Sequence, residues 1–385
     1  MEESGMRVAL LNNCAPIAGV GVYSFSLLHA LERFGDVEAR MICTEPFPSN
    51  FCDIDDEITF LTGIRFIPVN HVLDYFIFPL RTPKGYDLYH VTTHSLGRFA
   101  RFSHPSIVTV HDVSALRPEF DAWSDYGRIT SYGNVMANTV WRAFHRKSMA
   151  DARYADLIVC LSEFTRSELM EGLGVSAQRV RVIPHGIDHS LFRPRDRLAA
   201  RKRIGLPLDK KVILHVGDEG GRKNIPTLIR AFYMLKNRVA DAVLVRVGDR
   251  REGTRRMIER YGLEESILYT GVLSSHKDVA YFYNAADLLF FPSVYEGFGI
   301  PVLEAMASGC PVVASCRAAI PEVVSDAGVL VDPMNVEMLA ERIREVIEEE
   351  DLRQDLIERG LRRASAFSWE RHAEETVELY RKLCD

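Results

Sequence analysis

Short β-branched runs alternate with amphipathic stretches along nearly the whole chain. The first run, residues 7–12, leads through a glycine-containing turn into a stretch from about Val20 to Arg33 whose apolar residues recur three to four apart, the spacing of one helix face. Strand, loop and helix in that order open a doubly wound sheet. Further strands are expected at 37–43, 87–92, 106–111, 155–162 and 179–184. Continuous apolar runs such as 106–110 and 157–161 suit parallel strands buried on both faces. The pattern restarts at 211–217, with a second glycine-rich turn, a helix from about Asn224 to Lys236, and strands at 241–248, 267–273, 287–293 and 311–315. Two successive αβ sheets are therefore predicted, joined by a linker at 186–205 where Gly186, Asp188, Pro194 and Asp196 break the periodicity. Helical stretches at 336–347, 352–366 and 369–383 close the chain. The expected fold class is α/β, two tandem Rossmann-like domains at 1–190 and 191–367, with 368–385 as a terminal helix. A ligand would sit in a cleft between them, because open parallel sheets bind at the carboxyl ends of their strands.

Composition adds exclusions. With 385 residues, 47% hydrophobic and 26% charged, the chain is long enough for two packed cores and too apolar for disorder. Net charge is -6 and neither half is basic, so no nucleic-acid module is expected. Seven cysteines, without CxxC or Cys/His ligand spacing, argue for a reducing compartment and against zinc or a disulfide framework. The opening segment lacks the basic region of a signal peptide, and the longest apolar stretch, 72–80, carries Asp74 and is too short to span a bilayer. A cytoplasmic location is expected.

Four constellations can carry chemistry. In the segment 18–24 (AGVGVYS), Gly19 and Gly21 would let backbone N–H groups approach an anion at the start of a helix, although Ser24 stands where a dinucleotide fingerprint needs its third glycine. The corresponding turn of the second half places Arg222 and Lys223 before a helix start, with Asn224 as its cap and Pro226 in the first turn. Two like charges there would crowd one another unless a diphosphate were bound, and Arg and Lys together suit that ligand. The third is the most specific: Glu296 and Glu304 separated by seven residues, with Gly297, Gly299 and Pro301 between them. A carboxylate accepts two hydroxyl hydrogen bonds at once, as a ribose or hexose presents, and glycines expose N–H donors to phosphate. The fourth, His111–Asp112, follows a strand, and its imidazole could donate to a sugar hydroxyl or simply cap a turn. A basic run at 126–153, holding Arg128, Arg142, Arg146, Lys147 and Arg153 with Trp141 and Phe144 interleaved, reads as a solvated helix face or a membrane-surface contact.

Together these residues resemble the retaining glycosyltransferases of the GT-B fold, family four in particular. The resemblance runs through GVGVYSFSLLHAL (19–31), TVHD (109–112), LSEFTR (161–166), VIPHGID (182–188), HVGDEGGRKNIPTLIRAF (215–232), EGFGIPVLE (296–304) and FSWERHAEETVELYRKL (367–383). It implies that Gly19 and Gly21 lie against a donor diphosphate and that Lys223, helped by Arg222, neutralises it. Phe298, Gly299 and Ile300 would offer backbone N–H groups, Glu296 would contact donor-sugar hydroxyls, Glu304 the ribose diol, and the main chain at Val272 the base. His111 is implied near the anomeric centre, and the final helix is implied to return to the first domain. Many members carry an arginine directly after the glycine of the second domain's first strand; here Asp218 follows Gly217, and Arg222 is expected to take that role.

The expected function is transfer of a hexose, mannose or glucose type, from a nucleotide diphosphate sugar to a hydroxyl of a glycan or lipid-linked acceptor, with retention and without a metal or other cofactor. The alternatives are a non-catalytic nucleotide-sugar-binding partner of another transferase, or an epimerase or phosphorylase on the same architecture. Peripheral contact with the cytoplasmic face of a membrane would suit a lipid-linked acceptor.

Overall fold

Apolar strand runs of three to seven residues build two parallel sheets. The computed structural model describes residues 5–15, 19–44, 58–60, 75–117, 135–273 and 275–385. The first sheet comprises β1 (Met6–Asn12), β2 (Val37–Cys43), β3 (Ile58–Phe60), β4 (Leu88–Val91), β5 (Ser106–Val110), β6 (Leu157–Cys160) and β7 (Val180–Val182), in the order β3-β2-β1-β4-β5-β6-β7. The second comprises β8 (Lys211–Val216), β9 (Ala242–Val247), β10 (Ile267–Gly271), β11 (Leu288–Phe291), β12 (Val312–Ser315) and β13 (Val329–Val331), in the order β10-β9-β8-β11-β12-β13. Every residue of β4, β5, β6, β9, β11 and β12 is buried, which is why their sequences do not alternate. Two strands escape the sequence reading, β3 and β13. Each has three residues, too few to show a period.

The helices of the first part are α1 (Gly19–Leu31), α2 (Val135–Asp151) and α3 (Glu163–Leu173). Those that follow are α4 (Arg197–Ile204), α5 (Ile225–Lys236), α6 (Glu252–Tyr261), α7 (His276–Ala285), α8 (Ile300–Ala307), α9 (Ile320–Val324), α10 (Val336–Glu348), α11 (Glu350–Ala364) and α12 (Trp369–Cys384). The strand order reverses between β1 and β4 and again between β8 and β11. Loops leaving β1 and β8 therefore open at switch points, where neighbouring connections run to opposite faces and leave a crevice.

By internal contacts the chain divides into two units. Unit 1 is Met1–Gly186 with Trp369–Asp385, and unit 2 is Ile187–Ser368. The last helix thus belongs to the first sheet's unit, and buried polar side chains hold it there. His372 Nδ1 lies 2.8 Å from the Pro184 carbonyl, which only accepts, so this nitrogen carries the proton and Nε2 accepts from the Tyr23 hydroxyl at 3.0 Å. The Tyr23 oxygen then accepts from Thr109 (3.1 Å), Thr109 from His90 Nε2 (2.8 Å), and His90 Nδ1 from Tyr380 (2.6 Å). One consistent run of donors satisfies every group from α12 through β4 and β5 to α1 and back.

Candidate active site

The turn after β8 carries the cations. Asp218 Oδ1 accepts from the Gly220 N–H at 2.9 Å, closing the loop, and a single 3-10 turn, Gly221–Lys223, leads into α5. Two bonds fasten this turn to the segment after β11: the Val294 N–H donates to the Arg222 carbonyl (2.8 Å), and Asn224 Nδ2 to the Pro292 carbonyl (3.2 Å). Asn224 also reaches the Pro333 carbonyl at 3.0 Å. It occupies the cap position, with φ +53, but its side chain makes no bond to the helix. The expected side-chain cap is therefore absent, because the amide serves two neighbouring loops instead.

Glu296 brings the two cations together. Its Oε1 accepts from Lys223 Nζ at 2.7 Å and its Oε2 from Arg222 Nη1 at 2.9 Å, while Arg222 Nη2 stands 3.7 Å from Asp218. The like-charge crowding expected of Arg222 and Lys223 is thus relieved within the protein, since two carboxylates balance two cations. Lys223 is buried, with Nζ 4.7 Å from the centre of the Phe291 ring. Burial pushes its pKa down, Glu296 pulls it back, and Arg222 adds to the lowering. Burial would raise the Asp218 carboxyl, but Lys223 and Arg222 hold it below the ordinary carboxylate value.

The glycine-rich acid segment runs from this cluster into α8. Gly299 caps α8 with φ +106, a conformation that a side chain disfavours, and Pro301 occupies its first turn. Phe298 is buried against Phe367, ring centres 5.9 Å apart, and Ile300 begins the helix. Glu304, one turn further, is buried and accepts from the Tyr283 hydroxyl at 2.7 Å. Burial raises its pKa to about 7, against a smaller lowering by that bond. Val272, just past β10, is the most exposed of the large apolar residues described.

Sequence reading missed the layer behind the loop. Glu219, buried in the same turn, accepts from the Arg251 N–H (2.8 Å), Thr254 (2.7 Å), Tyr269 (3.1 Å) and Arg246 (3.4 Å). Arg246 is wholly buried within β9 and also donates to His215 Nδ1 at 2.5 Å. Burial, then Arg246 and Lys223, hold His215 neutral. The one visible signal was an arginine inside the apolar run AVLVRV.

In unit 1, His111 follows β5 and is buried. Its Nε2 lies 2.8 Å from the Thr92 carbonyl and must donate to it, so Nδ1 keeps the lone pair. Burial lowers its pKa to about 4, with His94 adding to the effect. The ring is therefore neutral with its N–H already engaged, and toward a sugar it would accept a hydrogen bond where the sequence suggested that it donates. Asp112 caps the turn by accepting from the Ser114 N–H at 2.8 Å. Gly19 and Gly21 lie in the first turn of α1 and not in the preceding loop, while Ala18 lies outside the described residues. A Cβ on Gly21 would come within 1.8 Å of the Ala15 carbonyl, so close backbone approach already demands this glycine. Ser24 is wholly buried and donates to Thr92 at 2.7 Å.

Comparison with known proteins decides the family. Residues 17–191 match the model of Glycosyltransferase Family 4, and residues 196–363 that of the glycosyl transferases group 1. The chain belongs to the group 1 glycosyltransferases. It is 32% identical over 235 residues to O-antigen chain mannosyltransferase B of Escherichia coli, covering 60% of this chain and 61% of that protein. It is 30% identical over 247 residues to the MMP alpha-(1->4)-mannosyltransferase of Mycolicibacterium hassiacum, covering 63% of this chain and 58% of that protein. Less than two thirds of each relative is therefore matched. Among solved structures, sucrose-phosphate synthase from Thermosynechococcus elongatus superposes with a TM-score of 0.77 at 25% identity, covering 98% of this chain and 99% of that one. Anabaena Alr3699/HepE in complex with UDP and glucose gives 0.75 at 20%, covering 98% and 100%. This glycosyltransferase has the GT-B fold. Among the described residues, no helix is long and apolar enough to cross a membrane.

Proposed function

We propose that this glycosyltransferase moves a hexose, of mannose or glucose type, from a nucleotide diphosphate sugar to a hydroxyl of a glycan or lipid-linked acceptor, with retention at the anomeric carbon. The observation that carries the reading is the cluster of Lys223, Arg222 and Glu296 at the switch-point loop after β8. Unit 2 takes the donor and unit 1 the acceptor. The hard moment is departure of the diphosphate from an oxocarbenium-like centre, so catalysis is mainly electrostatic. Lys223 and Arg222 turn from Glu296 toward the leaving phosphates, and the N-termini of α5 and α8 add partial positive charge. Protein cations thereby do what a divalent ion would otherwise do, and no cofactor is needed. Glu296, relieved of its cations, accepts from the sugar hydroxyls. Glu304 accepts from the ribose diol, the backbone of Phe298, Gly299 and Ile300 faces sugar and phosphate, and the main chain at Val272 meets the base. Neutral His111 accepts from the sugar near the anomeric centre, with Gly19 and Gly21 against the diphosphate.

Three named neighbours support this. The E. coli and M. hassiacum relatives are mannosyltransferases, and the HepE complex holds UDP and glucose. The enzyme would work in the cytoplasm, peripherally at the membrane when its acceptor is lipid-linked. The test is a panel of UDP-, GDP- and ADP-sugars scored by thermal shift, followed by product stereochemistry by NMR and turnover in chelator. One donor at about 100 times its dissociation constant should stabilise by about 2.7 kcal/mol. No shift with any donor, an inverted product, or loss of turnover in chelator would each sink the corresponding part.

A further inference from the structure

The loop from β8 to α5 carries both cations, yet Gly217, Gly220 and Gly221 leave its backbone little stiffness of its own. Its α5 end is held to neighbouring loops through the Arg222 carbonyl and the Asn224 amide. Its β8 end is held by Glu219, whose side chain is only 2% exposed. Glu219 Oε2 accepts from the Arg251 N–H at 2.8 Å and the Thr254 hydroxyl at 2.7 Å, and Oε1 from the Tyr269 hydroxyl at 3.1 Å and Arg246 Nη2 at 3.4 Å. These donors belong to the start of α6, to β10 and to β9, so one carboxylate ties the loop to three elements. Arg246 is fixed in turn by His215 of β8 at 2.5 Å and by the Tyr269 ring, whose centre lies 5.5 Å from the guanidinium carbon. Burial pushes the Tyr269 hydroxyl up to about 12, so it stays a donor. The anchored backbone also touches Lys223: a Cβ on Gly217 would stand 3.2 Å from Lys223 Cε, so the lysine stem lies along the strand end that Glu219 secures.

We propose that Glu219 is a positioning residue of glycosyl transfer, fixing this loop so that Lys223 and Arg222 are aimed at the charge that grows on the leaving diphosphate. Buried as it is, it acts through the loop and not on a substrate. An apolar side chain could fill the same space but could not engage four donors, and an arginine buried in an apolar strand needs a counter-charge. Two donors on each oxygen set the direction of the carboxylate as well as its place. Direction matters because misplacing a catalytic group by about 1 Å costs about a hundredfold in rate. The inference rests on the proposed function, which assigns Lys223 and Arg222 to the diphosphate.

Thr254→Val and Tyr269→Phe each delete one donor to Glu219 at nearly constant volume, and Glu219→Gln turns an amide NH2 toward two of the donors. The readout is nucleotide released by donor hydrolysis from UDP-glucose and from GDP-mannose, with unfolding midpoints in urea measured alongside. Thr254→Val and Tyr269→Phe should unfold near the parental midpoint yet lose about fivefold in kcat, with donor KM changed by less than about twofold, and Glu219→Gln should lose about tenfold or more. Thr254→Ser, which keeps the hydroxyl, should recover the parental kcat. In a Lys223→Ala background, Thr254→Val should cost no more than about twofold, because the lysine it helps to aim is gone. If Glu219→Gln does not fold, the Thr254 variants carry the test. Lowered midpoints with parental kcat, or a Thr254→Val loss that adds in full to that of Lys223→Ala, would overturn the inference while an impaired Lys223→Ala left the reading above standing. Parental hydrolysis by Lys223→Ala, or release from neither donor by the parent, would remove that reading and this inference with it.

Discussion

Glu296 accepts from Lys223 and Arg222 at once, so a change in any of the three alters the charge felt by the others. Lys223→Ala and Arg222→Ala should each impair the enzyme severely. A lost charge-assisted bond to a diphosphate is worth about 1.5–3 kcal/mol, and part of that loss should appear in turnover, because the leaving group gains charge in the transition state. Asp218→Ala should be mild, or faster than the parent. It frees Arg222 from a competing carboxylate 3.7 Å away but gives up the bond to the Gly220 N–H that closes the loop. Steady-state kinetics at saturating acceptor would test the order, and an Arg222→Ala enzyme with parental rate and donor affinity would remove this arginine from the site. Glu304 gives a pH prediction. Burial raises its carboxyl to about 7, so it is largely protonated below that pH and a strong acceptor for a diol above it. Donor affinity should tighten about fivefold between about pH 6 and about pH 8, and Glu304→Gln should flatten that slope in titration calorimetry. A flat parental profile would place Glu304 in structure alone.

At the scale of elements, α12 depends on the donor run from Tyr380 to Pro184. Tyr380→Phe removes the O–H that satisfies His90 Nδ1 and should cost about 1–3 kcal/mol, read as a lowered unfolding midpoint in urea. The same run predicts acid sensitivity. Burial lowers His90 to about 3 and His372 to about 4, well under their ordinary value. Below about pH 6.5 the unfolded chain therefore binds protons that the native chain refuses. The stabilisation is fully present above that pH and is lost as pH falls toward the native values, by about 1.4 kcal/mol per unit for each histidine. Stability measured from about pH 7 down to about pH 4.5 should decline, and His372→Gln should decline less steeply, although it starts lower. Parallel curves would show that His372 is not among the groups that titrate on unfolding.

Across the whole molecule, unit 1 is completed by residues that follow unit 2 in the chain. A chain ending at Ser368 should lose hydrogen-exchange protection in β4 and β5, whose His90 and Thr109 bond toward α12, while β8 and β11 keep theirs. The two sheets were legible from residue order because parallel strands buried on both faces read as unbroken apolar runs. The acid segment and the Arg222–Lys223 pair were legible too, since turn glycines, a cap position and charged groups are local features. Local chemistry did not reveal that Glu296 bridges both cations, that Asn224 serves two loops rather than its helix, or that the His111 N–H is already engaged by Thr92. Nor did it reveal Glu219 and Arg246, which lie apart in sequence and meet only because β8 and β9 pair in register. Periodicity along the chain determines which elements form and which face of each is apolar. Which polar groups meet inside is decided only when those elements pack, because a buried donor must find whatever acceptor the fold brings within reach.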